Sequence, residues 1–428
     1  MGFKNDFMWG AASAAYQLEG GYLDDGKGLG IWDALSEGHI AYGDNGNVST
    51  DHYHKYKEDV ALMKQLGLKA YRFSVSWPRV IPQEGVVNEK GLQFYLNLID
   101  ELKAAGIEPM VTVFHWNLPM WAHEKGGWKW DGIADAFADY TKVLAEAFRG
   151  KVRWWMTINE PACFGGLGYE RGEHAPYEKN TPEVCAKVYR NILLSHGKCA
   201  QVLRQYAGED LKIGMALCGN IYQPDTDAAG DVEAAYRRTF ESFENGPFSY
   251  GLWGEAAYGG KIPEMLKDEV SEEDMKTIFQ PLDFFGFNIY NVVVKDYPGI
   301  PRTMMDWPIT PDAIYWAVKF FEKRYGLPIV VTENGMANSD LVTPDGKVHD
   351  PQRIEYLRSY LSGMKRAVEE GVNVIGYMYW SIMDNLEWSF GYTRRFGIIW
   401  VDYRTLERIP KDSAYYYADI IRTNGADL

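Results

Sequence analysis

Short apolar runs recur along the chain and alternate with segments in which apolar residues return every three or four positions. Runs that are β-branched or aromatic over most of their length are typical of strands buried on both faces. Eight such runs predict strands at residues 7–17, 70–77, 108–116, 152–160, 212–219, 283–290, 328–333 and 374–380.

The intervening segments have the spacing of amphipathic helices. Clear examples are the sets Leu92, Tyr95, Ile99, Leu102 and Ile354, Leu357, Leu361, Met364, Val368. Gly106 and Gly326 follow two of these segments, as expected at helix ends. A last helix is predicted at about residues 413–422.

Eight strand–helix pairs are the number that closes a (β/α)₈ barrel, and regular alternation predicts a parallel sheet. No shift in composition marks a linker, so we predict an α/β fold with a single catalytic (β/α)₈ barrel domain over residues 1–428. The alternative is an open doubly wound sheet. That fold favours a G-x-G-x-x-G turn after an early strand, which the sequence lacks.

The composition limits the kinds of partner that the protein is expected to bind. The formal net charge of −15 and the pI near 5.1 disfavour binding to nucleic acid or anionic lipid. The N-terminal residues lack the apolar run of a signal peptide, and no stretch has the length of a membrane span. We therefore expect a cytoplasmic protein without nucleic acid or membrane partners. The four cysteines form no C-x-x-C pair and are predicted to be buried free thiols.

Two of the predicted strands end in a carboxylate beside an amide. Asn159 and Glu160 end the fourth run, and Glu333 and Asn334 end the seventh. In barrels of this type the active site lies at the carboxyl ends of the strands, so these residues are expected to face one another across the mouth. Two opposed carboxylates indicate acid–base chemistry.

Other polar and aromatic residues are predicted at the same rim. Any one of them could be structural, but seven of the eight strands contribute. They are Gln17, Arg72, His115, Trp116, Asn159, Glu160, Asn288, Tyr290, Glu333, Trp380, Glu387 and Trp388. Amides and carboxylates suit sugar hydroxyls and indole faces suit the C–H faces of the ring, so the set favours cleavage of a glycosidic bond.

The sequence gives little support to two other chemistries, metal-dependent hydrolysis and a serine nucleophile. The imidazoles available to a metal are His52, His54 and His115, but residues two apart on a helix point in different directions, so no metal or other cofactor is expected. A serine nucleophile has no G-x-S-x-G support.

Seven segments carry a resemblance to a known family. They are FMWGAASAAYQLEG, YRFSVSWPRV, VTVFHWNLPMW, TINEP, FGFNIY, VTENG and YWSIMDNLEWSFGYTRRFG. With these motifs in this order, nearly the whole chain resembles glycoside hydrolase family 1, the β-glucosidase family. The resemblance implies a (β/α)₈ barrel and retention of the anomeric configuration.

The resemblance also implies roles for single residues. Glu160 would be the general acid/base and Glu333 the nucleophile, steadied by Arg72 and Tyr290. Asn159 would bind the sugar 2-hydroxyl, and Trp307 would be a platform on the aglycone side. The other residues expected to bind substrate are Gln17, His115, Trp116, Asn288, Trp380, Glu387, Trp388 and Phe396. Arg72 is further expected to lower the pKa of Glu333.

The chain departs from the usual family pattern at Asn117, Met120 and Leu386. Phospho-glycosidases of the family usually carry serine at the position of Glu387, so a phosphorylated substrate is disfavoured. Thioglucosidases lack the acid/base glutamate, and Glu160 is present.

The sequence thus predicts a retaining exo-β-glucosidase that acts on short β-glucosides or cello-oligosaccharides, with side activity on β-galactosides or β-fucosides. A transglycosidase of the same family and a non-catalytic carbohydrate-binding protein are the alternatives. Nothing in the sequence indicates an oligomeric state.

Overall fold

Eight parallel strands pair in sequence order, and the eighth pairs with the first to close a barrel. The computed structural model describes residues 2–295 and 297–428. The strands are β1 (Met8–Ala12), β2 (Ala70–Ser74), β3 (Glu108–Phe114), β4 (Trp154–Asn159), β5 (Lys212–Leu217), β6 (Phe285–Asn288), β7 (Ile329–Asn334) and β8 (Val374–Trp380). The predicted (β/α)₈ barrel is confirmed.

Helices follow the strands and form the outer layer. The α-helices are α1 (Ala15–Leu18), α2 (Ile31–Ala34), α3 (His52–Gln65), α4 (Trp77–Val80), α5 (Glu89–Ala104), α6 (Met120–Glu124), α7 (Ile133–Ala147), α8 (Pro182–Tyr206), α9 (Ala229–Phe240), α10 (Ser242–Asn245), α11 (Tyr250–Ala257), α12 (Glu272–Ile278), α13 (Ala313–Tyr325), α14 (Pro351–Glu369) and α15 (Asp412–Arg422). A π-helical segment, Ala162–Glu170, follows β4, and a hairpin of β9 (Ile399–Val401) and β10 (Arg408–Pro410) precedes α15.

The first strand is shorter than the sequence predicts. Gln17, expected at its end, lies in the short helix α1 instead. The bond from the backbone N–H of Ser13 to the carbonyl of Arg72 is the last of the pairing with β2, and Ala15, the first residue of α1, donates its backbone N–H to the hydroxyl of Ser74. Gln17 therefore lies in a short helix held against the end of β2.

At one point the ends of β7 and β8 lie so close together that there is no room for a side chain. A Cβ at Gly335 would lie 1.8 Å from the carbonyl oxygen of Trp380, so only glycine allows the ends of β7 and β8 to approach this closely. Glu333 and Trp380 are therefore held next to each other at the rim.

A buried group of charged side chains lies beneath the loop that follows β8. Arg353 pairs with Asp340 and Asp350, Lys411 pairs with Asp340 and Asp384, and Arg395 pairs with Asp384. We call these six residues the ion network; three acids face three bases. It ties the β8 loop to the start of α14 and the start of α15.

Among the described residues, no helix combines the length and the apolar character that crossing a bilayer requires.

Candidate active site

A cavity of about 510 Å³ opens at the carboxyl ends of the strands. Most of the residues that the sequence predicts for the site line it, namely His115, Trp116, Glu160, Asn288, Tyr290, Trp307, Glu333, Trp380, Glu387, Trp388 and Phe396. The remaining three, Gln17, Arg72 and Asn159, are fully buried and contact the lining residues from behind.

Glu333 is held by two strong donors. Arg72 Nη1 donates to its Oε1 at 2.6 Å, and the Tyr290 hydroxyl donates to its Oε2 at 2.6 Å. Arg72 is itself fixed by the carbonyl of Thr332 and the hydroxyl of Thr112, both at 3.1 Å. The carboxylate therefore has one orientation and one ion-pair partner.

Arg72 acts on the pKa of Glu333 in the expected direction, but it is not the largest influence. Burial is the largest influence and raises the pKa of Glu333 above its usual value, while Arg72 and Tyr290 act in the opposite direction and offset part of that rise. The ion pair with Arg72 thus limits the rise in the pKa of Glu333, but it does not bring that pKa below its usual value.

Glu160 has a different environment. It follows β4 with a φ of 46°, in the left-handed region that few non-glycine residues occupy, and its backbone N–H donates to the carbonyl of Ala216 at 2.8 Å. Its Oε1 accepts from the amide of Asn288 at 2.8 Å. Burial, followed by the charge of Glu333, raises the pKa of Glu160 to about 7.

The contrast between the two carboxyl groups decides where a shared proton resides. A guanidinium and a phenol stabilise the ionised form of Glu333, whereas the side chain of Glu160 accepts from a neutral amide. The surroundings therefore favour a proton on Glu160 over one on Glu333.

Asn159 connects the two groups. Its Oδ1 accepts from Arg72 at 2.5 Å and from Asn288 at 3.1 Å, and its Nδ2 lies 3.1 Å from Nε2 of His115. Burial, followed by the charge of Arg72, holds the pKa of His115 well below its usual value, so the ring is neutral.

Gln17 and Glu387 form one corner of the site. The Gln17 amide donates to the carbonyl of Leu386 at 2.8 Å and lies 3.3 Å from Glu387 Oε2. Burial, followed by the charges of Glu333 and Glu160, raises the pKa of Glu387 to about 8. Within the described residues, Gln17 Oε1 and His115 Nδ1 are buried polar atoms without a protein partner.

Aromatic rings form two groups around the carboxylates. Trp388 lies 4.4 Å from Trp116 and 5.9 Å from His115 between ring centroids, and the His115 ring also stacks on Trp380 at 5.9 Å. In the second group, Trp307 lies 5.1 Å from Tyr290 and 6.2 Å from Phe396.

The sequence does not predict several of the residues that line the cavity, and for two cysteines among them its prediction of burial is wrong. Cys163 and Cys218, predicted to be buried, are only half-buried and line the cavity with their sulfur atoms 3.6 Å apart. Cys185 and Cys199 are buried as predicted, and all four thiols are free.

The sequence contains a signal that places Cys163 and Cys218 near the cavity. Cys163 stands three residues after Glu160, and Cys218 directly follows β5, the one predicted strand with no residue assigned to the rim. The other missed residues belong to loops and to the π-helical segment, and include Leu167, Glu173, His174, Asn220, Phe248, Met305 and Phe390.

Comparison with known proteins places this geometry in context. The family described as glycosyl hydrolase family 1 matches residues 1–426. The chain is 40% identical to beta-glucosidase A of Thermotoga maritima, over 99% of both chains. It is 37% identical to a bifunctional beta-D-glucosidase/beta-D-fucosidase of Bifidobacterium breve, again over 99% of both.

Solved structures agree. The family 1 b-glucosidase from Thermotoga maritima superposes with a TM-score of 0.91 at 39% identity, covering 99% of this chain and 98% of that one. The beta-glucosidase from the same organism in complex with glucoimidazole gives 0.91 at 40% identity, covering 99% of both chains.

Proposed function

The chain belongs to glycosyl hydrolase family 1 and is a glycoside hydrolase of the β-glucosidase type, and on that premise we propose that it releases terminal non-reducing β-D-glucosyl residues with retention of configuration. Its substrates are short β-glucosides or cello-oligosaccharides. The observation that carries the proposal is the pair of carboxyl groups that line one cavity, of which Glu333 is held by an ion pair with Arg72 and Glu160 has a raised pKa.

In the first step Glu333 attacks the anomeric carbon, and Glu160 donates its proton to the departing oxygen. The C–O bond to the leaving group breaks as a glycosyl ester forms on Glu333. The two carboxyl groups of a retaining enzyme lie about 5–5.5 Å apart, against about 6.5–9.5 Å in an inverting one, and we expect the shorter separation here.

In the second step water attacks the ester, and Glu160 accepts the proton of that water. Formation of the ester removes the charge of Glu333, one of the causes of the raised pKa of Glu160. Glu160 has already given up its proton in the first step, and with a lower pKa it stays ionised as the base that the second step needs. The same residue thus serves both steps.

The sugar is proposed to bind in the corner of Gln17, His115 and Glu387. Two buried atoms there, Gln17 Oε1 and His115 Nδ1, lack protein partners, and sugar hydroxyls would satisfy them. Trp388 and Trp380 would cover the faces of the ring, and Trp307 would receive the leaving group.

Side activity on β-fucosides is part of the proposal. The relative from Bifidobacterium breve is named for both glucosidase and fucosidase activity, and the two chains match over nearly their whole length. We extend the proposal to β-galactosides, which share with fucosides the orientation of the 4-hydroxyl.

Azide rescue tests the two roles. In Glu160→Ala, an activated aryl glucoside such as the dinitrophenyl glucoside needs no proton for its departure, so the glycosyl-enzyme should form and accumulate. Azide needs no base and should release β-glucosyl azide with higher turnover. Glu333→Ala lacks the nucleophile, so any azide product should be the α-anomer.

The deciding measurement is the anomer of each azide adduct by proton NMR. An α-azide from Glu160→Ala with a β-azide from Glu333→Ala would mean that the roles are reversed. For the wild-type enzyme, a first-formed α-sugar would refute the retaining mechanism.

A further inference from the structure

Two thiols and a carboxylate converge on one wall of the cavity. The sulfur atoms of Cys163 and Cys218 are 3.6 Å apart, and ligand atoms of both cysteines and of Glu160 all lie within 4.8 Å of one another. The hydrolytic mechanism proposed above uses the carboxylate and neither thiol.

Rigid elements hold the three residues. Cys163 lies in the π-helical segment after β4, and its backbone N–H donates to the carbonyl of Glu160 at 2.9 Å. Cys218 directly follows β5, the strand that pairs with β4. Because the π-helical segment closely follows β4 and Cys218 directly follows β5, the pairing of these two strands brings the two cysteines together.

We propose that Cys163, Cys218 and Glu160 form a binding site for a thiophilic divalent cation such as Zn²⁺ or Cd²⁺, and that the bound cation inhibits the enzyme. The inhibition rests on the proposed role of Glu160, whereas the binding does not. The cation would take the carboxylate that otherwise donates the proton.

The geometry fits such an ion. With Zn–S bonds of about 2.3 Å, tetrahedral coordination places two sulfur ligands about 3.8 Å apart, close to the 3.6 Å between these thiols. The same geometry places a carboxylate oxygen about 3.6 Å from each sulfur, so an oxygen within 4.8 Å of the sulfur atoms needs to shift by about 1.2 Å at most. All three residues line the cavity, so water in the cavity could take the fourth position.

The cation displaces protons from its ligands when it binds. Two metal–sulfur bonds and one metal–oxygen bond form, the two S–H bonds and the O–H bond of Glu160 break, and the three protons pass to the buffer. No oxidant takes part. A disulfide between the same cysteines would require the sulfur atoms to approach to about 2.05 Å and would consume an oxidant.

Cd²⁺ titration of the wild-type protein tests binding directly. A phosphine reductant keeps the thiols reduced throughout, and the ultraviolet charge-transfer band of cadmium–thiolate bonds reports occupancy without reference to activity. We expect one equivalent to bind. Cys163→Ser and Cys218→Ser should each weaken binding by roughly 10–100-fold or more, since the loss of even an outer partner of a metal ligand costs that much.

Cys185→Ser is the matched control, because Cys185 is buried and lies outside the cavity lining. It should bind Cd²⁺ as the wild type does. Circular dichroism verifies the fold of each variant, and Glu160→Gln, which keeps both sulfurs, should retain the band with weaker affinity. Full affinity in both Cys163→Ser and Cys218→Ser, or no band in the wild type, would overturn the site.

Hydrolysis of an aryl glucoside tests inhibition. Zn²⁺ should inhibit the wild type, EDTA should restore activity, and Mg²⁺, which prefers oxygen ligands, should have no effect. A cadmium band without inhibition by Zn²⁺ would preserve the site and refute the blocking of Glu160. If the cadmium–thiolate band is absent but the azide test gives the expected anomers, the metal site is refuted and the proposed function is not.

Discussion

Replacing Glu160 by glutamine should remove the alkaline limb of the pH profile of kcat/KM. That parameter reports groups of the free enzyme, and burial together with Glu333 raises the pKa of Glu160 from 4.5 to about 7. The acid form is the active one in the first step, so activity is retained below this pKa and lost above it.

The size of the effect follows from the pKa. At pH 8.5 a group with a pKa of about 7 keeps its proton in about 3% of molecules, so kcat/KM for cellobiose should fall about 30-fold from its plateau. An ordinary glutamic acid with a pKa of 4.5 would already be about 99% ionised at pH 6.5, and the enzyme would be nearly inactive there.

The assay compares two proteins on one substrate. The wild type and Glu160→Gln are both measured between pH 5 and 9 on an aryl glucoside with a poor leaving group, whose departure needs a proton. The variant profile should be flat through pH 7. Glu387, with a pKa of about 8, is the competing candidate for the titrating group, so Glu387→Gln on an aryl glucoside with a poor leaving group is the control.

An alkaline limb near pH 7 that survives in Glu160→Gln and disappears in Glu387→Gln would refute the reasoning. Because neighbouring carboxyl groups titrate as a set, the comparison between variants is the decisive observation and not the single value.

Three further outcomes are expected. Tyr290→Phe removes the 2.6 Å hydrogen bond that favours ionised Glu333, so the acid limb of kcat/KM should move up by about 1–2 pH units; an unmoved limb would contradict this. Glu387→Ser should lower kcat/KM for a simple glucoside by roughly 10–100-fold, and a value equal to wild type would exclude Glu387 as a sugar ligand. Lys411→Met should destabilise the fold by about 3–5 kcal/mol in urea denaturation, whereas the exposed control Lys267→Met should leave stability unchanged.

The barrel was accessible from the sequence because each strand is a local apolar run, and the rim followed because parallel strands end on the same side. β8 has the predicted bounds, and β7 differs by a single residue at each end. Gln17 was placed wrongly because the bend after β1 depends on hydrogen bonds to β2, which are remote in sequence.

Residues on long loops could not be predicted for the same reason. Phe248 and Met305 reach the cavity through loop conformations that no periodic pattern encodes. The spacing of the two cavity cysteines along the chain does not reveal their contact, because the pairing of β4 with β5 brings together residues 163 and 218. The ion network is likewise formed from charges that are far apart in sequence.

That network has a consequence for changing the specificity of the enzyme. The loop that carries Glu387, Trp388 and Phe396 is anchored by buried ion pairs, and removing one partner leaves a charge uncompensated. Mutations beneath this side of the cavity therefore carry a high risk of losing the fold.

Another part of the cavity is lined by the apolar side chains of Leu167, Phe248 and Met305. Replacing them leaves no buried charge without its partner. Hydrophobic substitutions of similar volume usually cost less than about 1.5 kcal/mol. A library aimed at new leaving groups can therefore be diversified at these three positions while the loop that carries Glu387 is kept unchanged.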